Sequence, residues 1–75
     1  MTIDFEAETP LWQQLADILC GDISAGVYPR GKVIPSETTL VQQHGLSRGT
    51  VRKALDALVA EGLIRRRQGR GSFVV

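Results

Sequence analysis

The apolar residues fall into three helical stripes followed by two short runs suited to strands. The sharpest stripe is Val51, Ala54, Leu55 and Leu58, spaced i, i+3, i+4, i+7, which describes one buried face of a helix. Ser47 stands where an N-cap accepts from first-turn amides, and Gly62 where a helix ends in a left-handed residue; together they predict a helix over 47–61. Upstream, Leu11, Leu15, Ile18, Leu19 and Ile23 recur behind Thr9-Pro10, read as N-cap and first helical residue, and Gly26 supplies the stop. This predicts a helix over 10–24, with Gly21 inside it as a point of close approach for a neighbour. Between the two lies a shorter helix, predicted over 36–43. Ser36 caps it, Glu37 complements its dipole, Leu40 and Val41 are its apolar contacts, and His44-Gly45 closes it.

The remaining segments read as turns and strands. Val27-Tyr28-Pro29-Arg30-Gly31 is a turn and Lys32-Val33-Ile34 a very short strand. Leu63 to Arg67 and Ser72 to Val75 read as paired strands around a turn at Gln68-Gly69-Arg70-Gly71. Ile64 and Phe73 are expected to face inward and the arginines outward. Only Gly45 and Leu46 separate the second helix from the Ser47 cap, which is the spacing of a helix-turn-helix. The expected fold is mainly α with a small β-hairpin (α+β): three helices plus a two- to three-stranded antiparallel wing, a winged helix-turn-helix. It occupies residues 10–75, behind an acidic lead over 1–9 that has no clear periodicity and is expected to be loosely held.

Charge sharpens this picture. Residues 1–25 hold Asp4, Glu6, Glu8, Asp17 and Asp22 and no Lys or Arg, while residues 26–75 hold all nine Lys and Arg against Glu37, Asp56 and Glu61. A basic half on a near-neutral chain points to a polyanion partner. The helix over 47–61 repeats the division along its length, with Arg48, Gly49, Thr50, Arg52 and Lys53 at its start and Ala, Leu and Val towards its end. A helix that enters a DNA major groove N-terminus first needs that division. Arg48 is expected to fork a guanine edge from the first turn. Arg52, one turn on, would lie closer to the backbone or share the same base step. Ser47 and Thr50 offer hydroxyls to phosphate, and Gly49, costly in a helix by about 1 kcal/mol, would let the duplex approach the backbone. Arg65, Arg66 and Arg67 would meet phosphates along the wing. Its tip, Gln68-Gly69-Arg70-Gly71, would carry Arg70 into a minor groove.

Other chemistry is thinly represented. Cys20 is the only cysteine and His44 the only histidine, so neither disulfide nor metal cluster is expected, nor any cofactor. Cys20 lies opposite Leu11 on the helical wheel, as a boundary thiol without a base. No carboxylate cluster or activated nucleophile suggests an enzyme. Trp12 flanks the apolar stripe and is read as packing. No apolar run approaches membrane-spanning length, and the acidic start is unlike a signal peptide, so a cytoplasmic location is expected. The competing reading, a winged helix serving as a protein-interaction or dimerisation module, leaves Arg48, Arg52 and the Gly69–Gly71 tip without a task.

The motifs resemble a known family. Leu11-Trp12-Gln13-Gln14-Leu15-Ala16, Tyr28-Pro29-Arg30-Gly31, Ile34-Pro35-Ser36-Glu37, Ser47 through Leu55, Glu61-Gly62-Leu63-Ile64 and Gly69-Arg70-Gly71-Ser72-Phe73-Val74 resemble the DNA-binding domain of GntR-family bacterial transcription regulators. The resemblance implies a regulator, most often a repressor, that binds a palindromic operator in double-stranded DNA as a homodimer. It implies DNA contacts from Ser36, Glu37 and Thr38, from Ser47, Arg48, Gly49, Thr50 and Arg52, and from Gln68, Gly69, Arg70 and Gly71. Thr38 stands where the family commonly has arginine, so one contact is weakened or replaced. Trp12 for tyrosine and Ser72 for threonine are milder departures. Family members normally continue into an effector-binding, dimerising C-terminal domain, and this chain stops at Val75; it is expected to be either an N-terminal fragment or a stand-alone module.

Overall fold

The computed structural model describes residues 2–75; Met1, the first residue of the acidic lead, lies outside the described residues. The three apolar stripes form helices α1 (Leu11–Ser24), α2 (Glu37–His44) and α3 (Arg48–Ala60), followed by strands β1 (Ile64–Arg67) and β2 (Gly71–Val74). Their buried faces are Leu15, Ala16, Ile18 and Leu19 on α1, Leu40 on α2, and Val51, Ala54, Leu55 and Leu58 on α3. The spacing picked out all of these but Ala16, while Leu11, Ile23 and Val41 from the same stripes are only partly buried. Ile34, Leu46, Ile64 and Val74 close the same core. Gly45 takes the left-handed conformation (φ 66°) that ends α2 and turns the chain through buried Leu46 into the Ser47 cap. That sharp turn sets the start of α3 beside the start of α2.

The beginning of α1 differs from expectation. Pro10, not Thr9, occupies the N-cap position, and no side chain caps the helix. Gln14 organises the approach instead: its Oε1 accepts from the Asp4 amide at 2.8 Å, and its Nε2 donates to the carbonyls of Asp4 and Thr9, both at 2.9 Å. The lead is therefore latched, and Ile3 is buried in the core. Ile3, Phe5 and Ala7 alternate with acids, and that short pattern does not tell which of them is buried: Phe5 stays exposed. Gly21 meets no neighbour within this chain, since nothing lies within 4 Å of where its Cβ would be.

The wing corrects the expected facing of its side chains. β1 and β2 pair antiparallel in the register Ile64↔Val74, Arg65↔Phe73, Arg66↔Ser72 and Arg67↔Gly71. Alternation then puts Ile64, Arg66, Ser72 and Val74 on the core side, and Arg65 and Phe73 on the other. Val74, not Phe73, is the inward partner of Ile64, and Arg66 faces the helices instead of solvent. A slip of one residue inverts every side chain of a strand, and two apolar neighbours such as Phe73 and Val74 leave that choice open in the sequence. Gly71 (φ 100°) needs its freedom twice over, because a Cβ would also lie 3.3 Å from Val33 Cγ2. The expected strand at 32–34 is reduced to a single bridge, Val33↔Phe73. Backbone bonds from Gly31 N–H to Val74 O, Val74 N–H to Lys32 O and Ile34 N–H to Ser72 O, each 2.9 Å, hold it against β2.

Candidate nucleic-acid interface

Both helices of the helix-turn-helix begin with the same Ser-x-x-Thr device. Ser36 Oγ accepts from the Thr39 amide at 3.1 Å and donates to Thr39 Oγ1 at 3.0 Å. Ser47 Oγ accepts from the Thr50 amide at 3.1 Å and donates to Thr50 Oγ1 at 2.8 Å. The caps fix where α2 and α3 start and leave two positive helix ends as neighbours. Thr39, the second half of the α2 cap, escaped the sequence reading although its spacing from Ser36 matches that of Thr50 from Ser47.

Across this junction the arginines converge on one carboxylate. Glu37 lies 3.5 Å from Arg48 Nη1 and 3.3 Å from Arg52 Nη2, and Arg48 Nη2 donates to Thr38 Oγ1 at 3.2 Å. The structure thus brings together Glu37, Thr38, Arg48 and Arg52, from the first turn of α2 and the first turns of α3. Charge-assisted bonds at their strongest are about 2.7–2.9 Å, so these contacts orient the guanidinium groups without locking them. Both arginine side chains remain more than half exposed (54% and 59%). Gly49 lies between them on exposed helix, and no atom lies within 4 Å of the place its Cβ would take. Nothing inside the fold requires glycine there.

The hydrogen bond from Arg52, with the Arg52 and Arg48 charges, holds the Glu37 carboxyl below the ordinary glutamate value of 4.5, against the opposing effect of its partial burial. A lowered folded-state value means that the cluster stabilises the native chain fully above 4.5 and loses that contribution as pH falls below it. Glu37→Gln should therefore be less stable than wild type at neutral pH, by about 0–1 kcal/mol for each exposed pair. The difference should vanish in acid; urea midpoints for the two chains across a pH series would measure it.

The wing tip completes the surface. A groove of about 570 Å³ runs between the start of α2 and the hairpin, lined by Ser36, Glu37, Arg66, Arg67, Gln68 and Gly69 among others. Gln68, Gly69 and Arg70 form the turn, exposed throughout, closed by a bond from Arg70 N–H to Arg67 O at 3.0 Å. On the outer face Arg65, Arg67 and Arg70 surround half-buried Phe73. Arg66 stands apart from the others: its Nη1 bonds the Asp56 carboxylate of α3 and its Nη2 donates to Arg52 O at 3.4 Å. Asp56 is a partner the sequence reading missed. Its position four residues beyond Arg52 was visible, but the facing of Arg66 was not.

Elsewhere Lys53 Nζ sits 4.9 Å from the centre of the Trp12 ring, tying α3 to α1 through the aromatic face, as packing. Cys20 is half-buried at the rim of the core. No group of His, Cys, Asp and Glu able to hold a metal occurs among the described residues, and no helix is long and apolar enough to cross a membrane.

The arrangement has close counterparts. The family described as "Bacterial regulatory proteins, gntR family" matches residues 11–74. The HTH-type transcriptional regulator YurK of Bacillus subtilis is 46% identical over 68 residues, covering 91% of this chain and 28% of that protein. The HTH-type transcriptional repressor NagR of the same organism is 40% identical over 74 residues, covering 99% and 30%. The chain thus spans less than a third of the length of these relatives. Among solved structures, YtrA from Sulfolobus acidocaldarius, a GntR-family transcription factor, superimposes with a TM-score of 0.89 at 37% identity, covering 97% of this chain and 77% of that one. The AraR DNA-binding domain in complex with operator ORX1 does so with 0.90 at 33% identity, covering 100% and 99%. The family pattern runs from the first residue of α1 to the last of β2, over three helices and a hairpin of the same architecture: the chain belongs to the gntR family of bacterial regulatory proteins.

Proposed function

We propose that this domain reads one half-site of a palindromic operator in duplex DNA, as the DNA-binding part of a cytoplasmic, non-enzymatic repressor that acts as a homodimer. The observation that carries the reading is the convergence of Arg48 and Arg52 on Glu37, with Arg48 also on Thr38, beside the groove that leads to the wing tip. In this reading the N-terminal turns of α3 enter the major groove, Gly49 admits the duplex backbone, and the first turn of α2 rests on phosphates. Arg70 reaches the adjacent minor groove, where a narrow A·T-rich stretch attracts a guanidinium. The AraR domain, the same fold over its whole length, is found in complex with operator DNA, which supports duplex DNA as the partner.

Counterion release supplies the test. Binding to a selected duplex should weaken steeply between two salt concentrations in a mobility-shift assay. Arg70→Ala should weaken binding to most sequences and flatten the salt slope by about one phosphate equivalent. An unchanged affinity and slope would mean that the wing points away from DNA, and salt-independent binding would remove the nucleic-acid reading.

A further inference from the structure

The inward-facing arginine of the wing suggests a task other than neutralising phosphate. We propose that Arg66 is a positioning residue that braces the wing against the recognition helix, with Asp56 as its anchor, so that the tip is presented at a fixed angle to α3. This deepens the DNA-binding reading and rests on it.

Register is the first support. Arg66 shares the core-side face of β1 with buried Ile64, whereas Arg65 and Arg67 project from the opposite face beside Phe73 and Arg70. The second support is that its guanidinium is already engaged at two points on α3, one turn apart: the Asp56 carboxylate and the carbonyl oxygen of Arg52. A planar fork engaged at two points biases an angle as well as a distance. Third, the Arg66 side chain is 38% exposed while that of Asp56 is 57% exposed, so the pair lies at the rim of the core, where its effect on global stability is small. The packed contacts of the hairpin end at Ile64 and Val74. Beyond them the four-residue strands and the turn extend without a buried side chain, steadied on the β2 side by the backbone bonds from the 31–34 segment and on the β1 side by the Arg66 bonds. The Arg52 carbonyl belongs to a residue of the proposed reading surface, so the brace aligns the wing tip directly with that surface.

The test exploits a difference in sign. Removing an acidic charge near a DNA-binding surface ordinarily strengthens binding, and freeing a phosphate-binding Arg66 from Asp56 would strengthen it further. The brace requires the opposite. On a duplex obtained by binding-site selection with the wild-type chain, Asp56→Asn should bind about fivefold more weakly, the upper end for an exposed pair, with an unchanged salt slope. The swap Asp56→Arg with Arg66→Asp should recover most of the loss. In an Arg70→Ala background, where the tip no longer contributes, Asp56→Asn should cost little, since the two act through the same element. Tighter or unchanged binding by Asp56→Asn, or a full loss persisting in the Arg70→Ala background, would overturn the proposal. Were the wild-type chain to select no duplex at all, the DNA reading would fall by itself. The brace would then be judged in the free chain: amide exchange across Ile64–Val74 faster in Asp56→Asn than in wild type supports it, and equal exchange refutes it.

Discussion

Arg48→Ala is expected to weaken binding to a selected operator half-site by about 1–3 kcal/mol and to relax preference at a single base pair. Arg48 is the first residue of α3, directly after the Ser47 cap, and first-turn side chains of a recognition helix reach deepest into the groove. Its guanidinium is presented by Glu37 and Thr38 at contacts of 3.2–3.5 Å, long enough to be exchanged for a guanine edge. Arg52 lies one turn further in and uses both Nε and Nη2 towards Glu37, so it has less freedom to turn to a base. Arg52→Ala should therefore cost a comparable amount spread evenly across sequences. Parallel binding-site selections with the three chains would decide. A wild-type consensus retained by Arg48→Ala and a guanine lost by Arg52→Ala would reverse the assignment.

Leu15→Ala should remove a large share of the chain's stability. Leu15 is fully buried in the middle of α1, among the side chains that α1 and α3 share, and truncating such a leucine costs about 2–5 kcal/mol through lost transfer energy and the cavity left behind. A domain of 75 residues has a total stability on the order of 4–11 kcal/mol. The loss is thus a large share of the whole, and a sharp drop in the urea midpoint is expected. A midpoint within experimental error of wild type would mean that α1 is not integral to the core.

What the sequence reveals depends on how many residues vote for each feature. The helices are over-determined. Four or five apolar positions share a period in α1 and α3, and a serine fixes the start of α2 and of α3, so the boundaries of those two shift by only about one residue. The arginines at the start of α3 are legible for the same reason, because the cap sets their order. The wing is under-determined: its strands have four residues each, and its facing turns on Phe73 against Val74. That one ambiguity also concealed Arg66's attachment to Asp56. Long-range polar contacts such as Gln14 with Asp4 and Thr9, or Glu37 with Arg52, carry no local period and emerge only once the chain has folded.

The segment from Gly31 to Ile34 has a consequence for how copies of this domain coexist. By covering the outer side of β2 it leaves β1 as the one unpaired edge of the hairpin. An exposed strand edge is a template on which another chain can add itself, the first step towards aggregation. Here Arg65 and Arg67, on the outer face, give that edge two exposed cations, while Arg66 between them is paired with Asp56. A second copy approaching edge to edge would oppose arginine to arginine, and like charges directly across a strand pair destabilise it. The cations on the wing thus also keep crowded copies of the protein from polymerising through their own sheets.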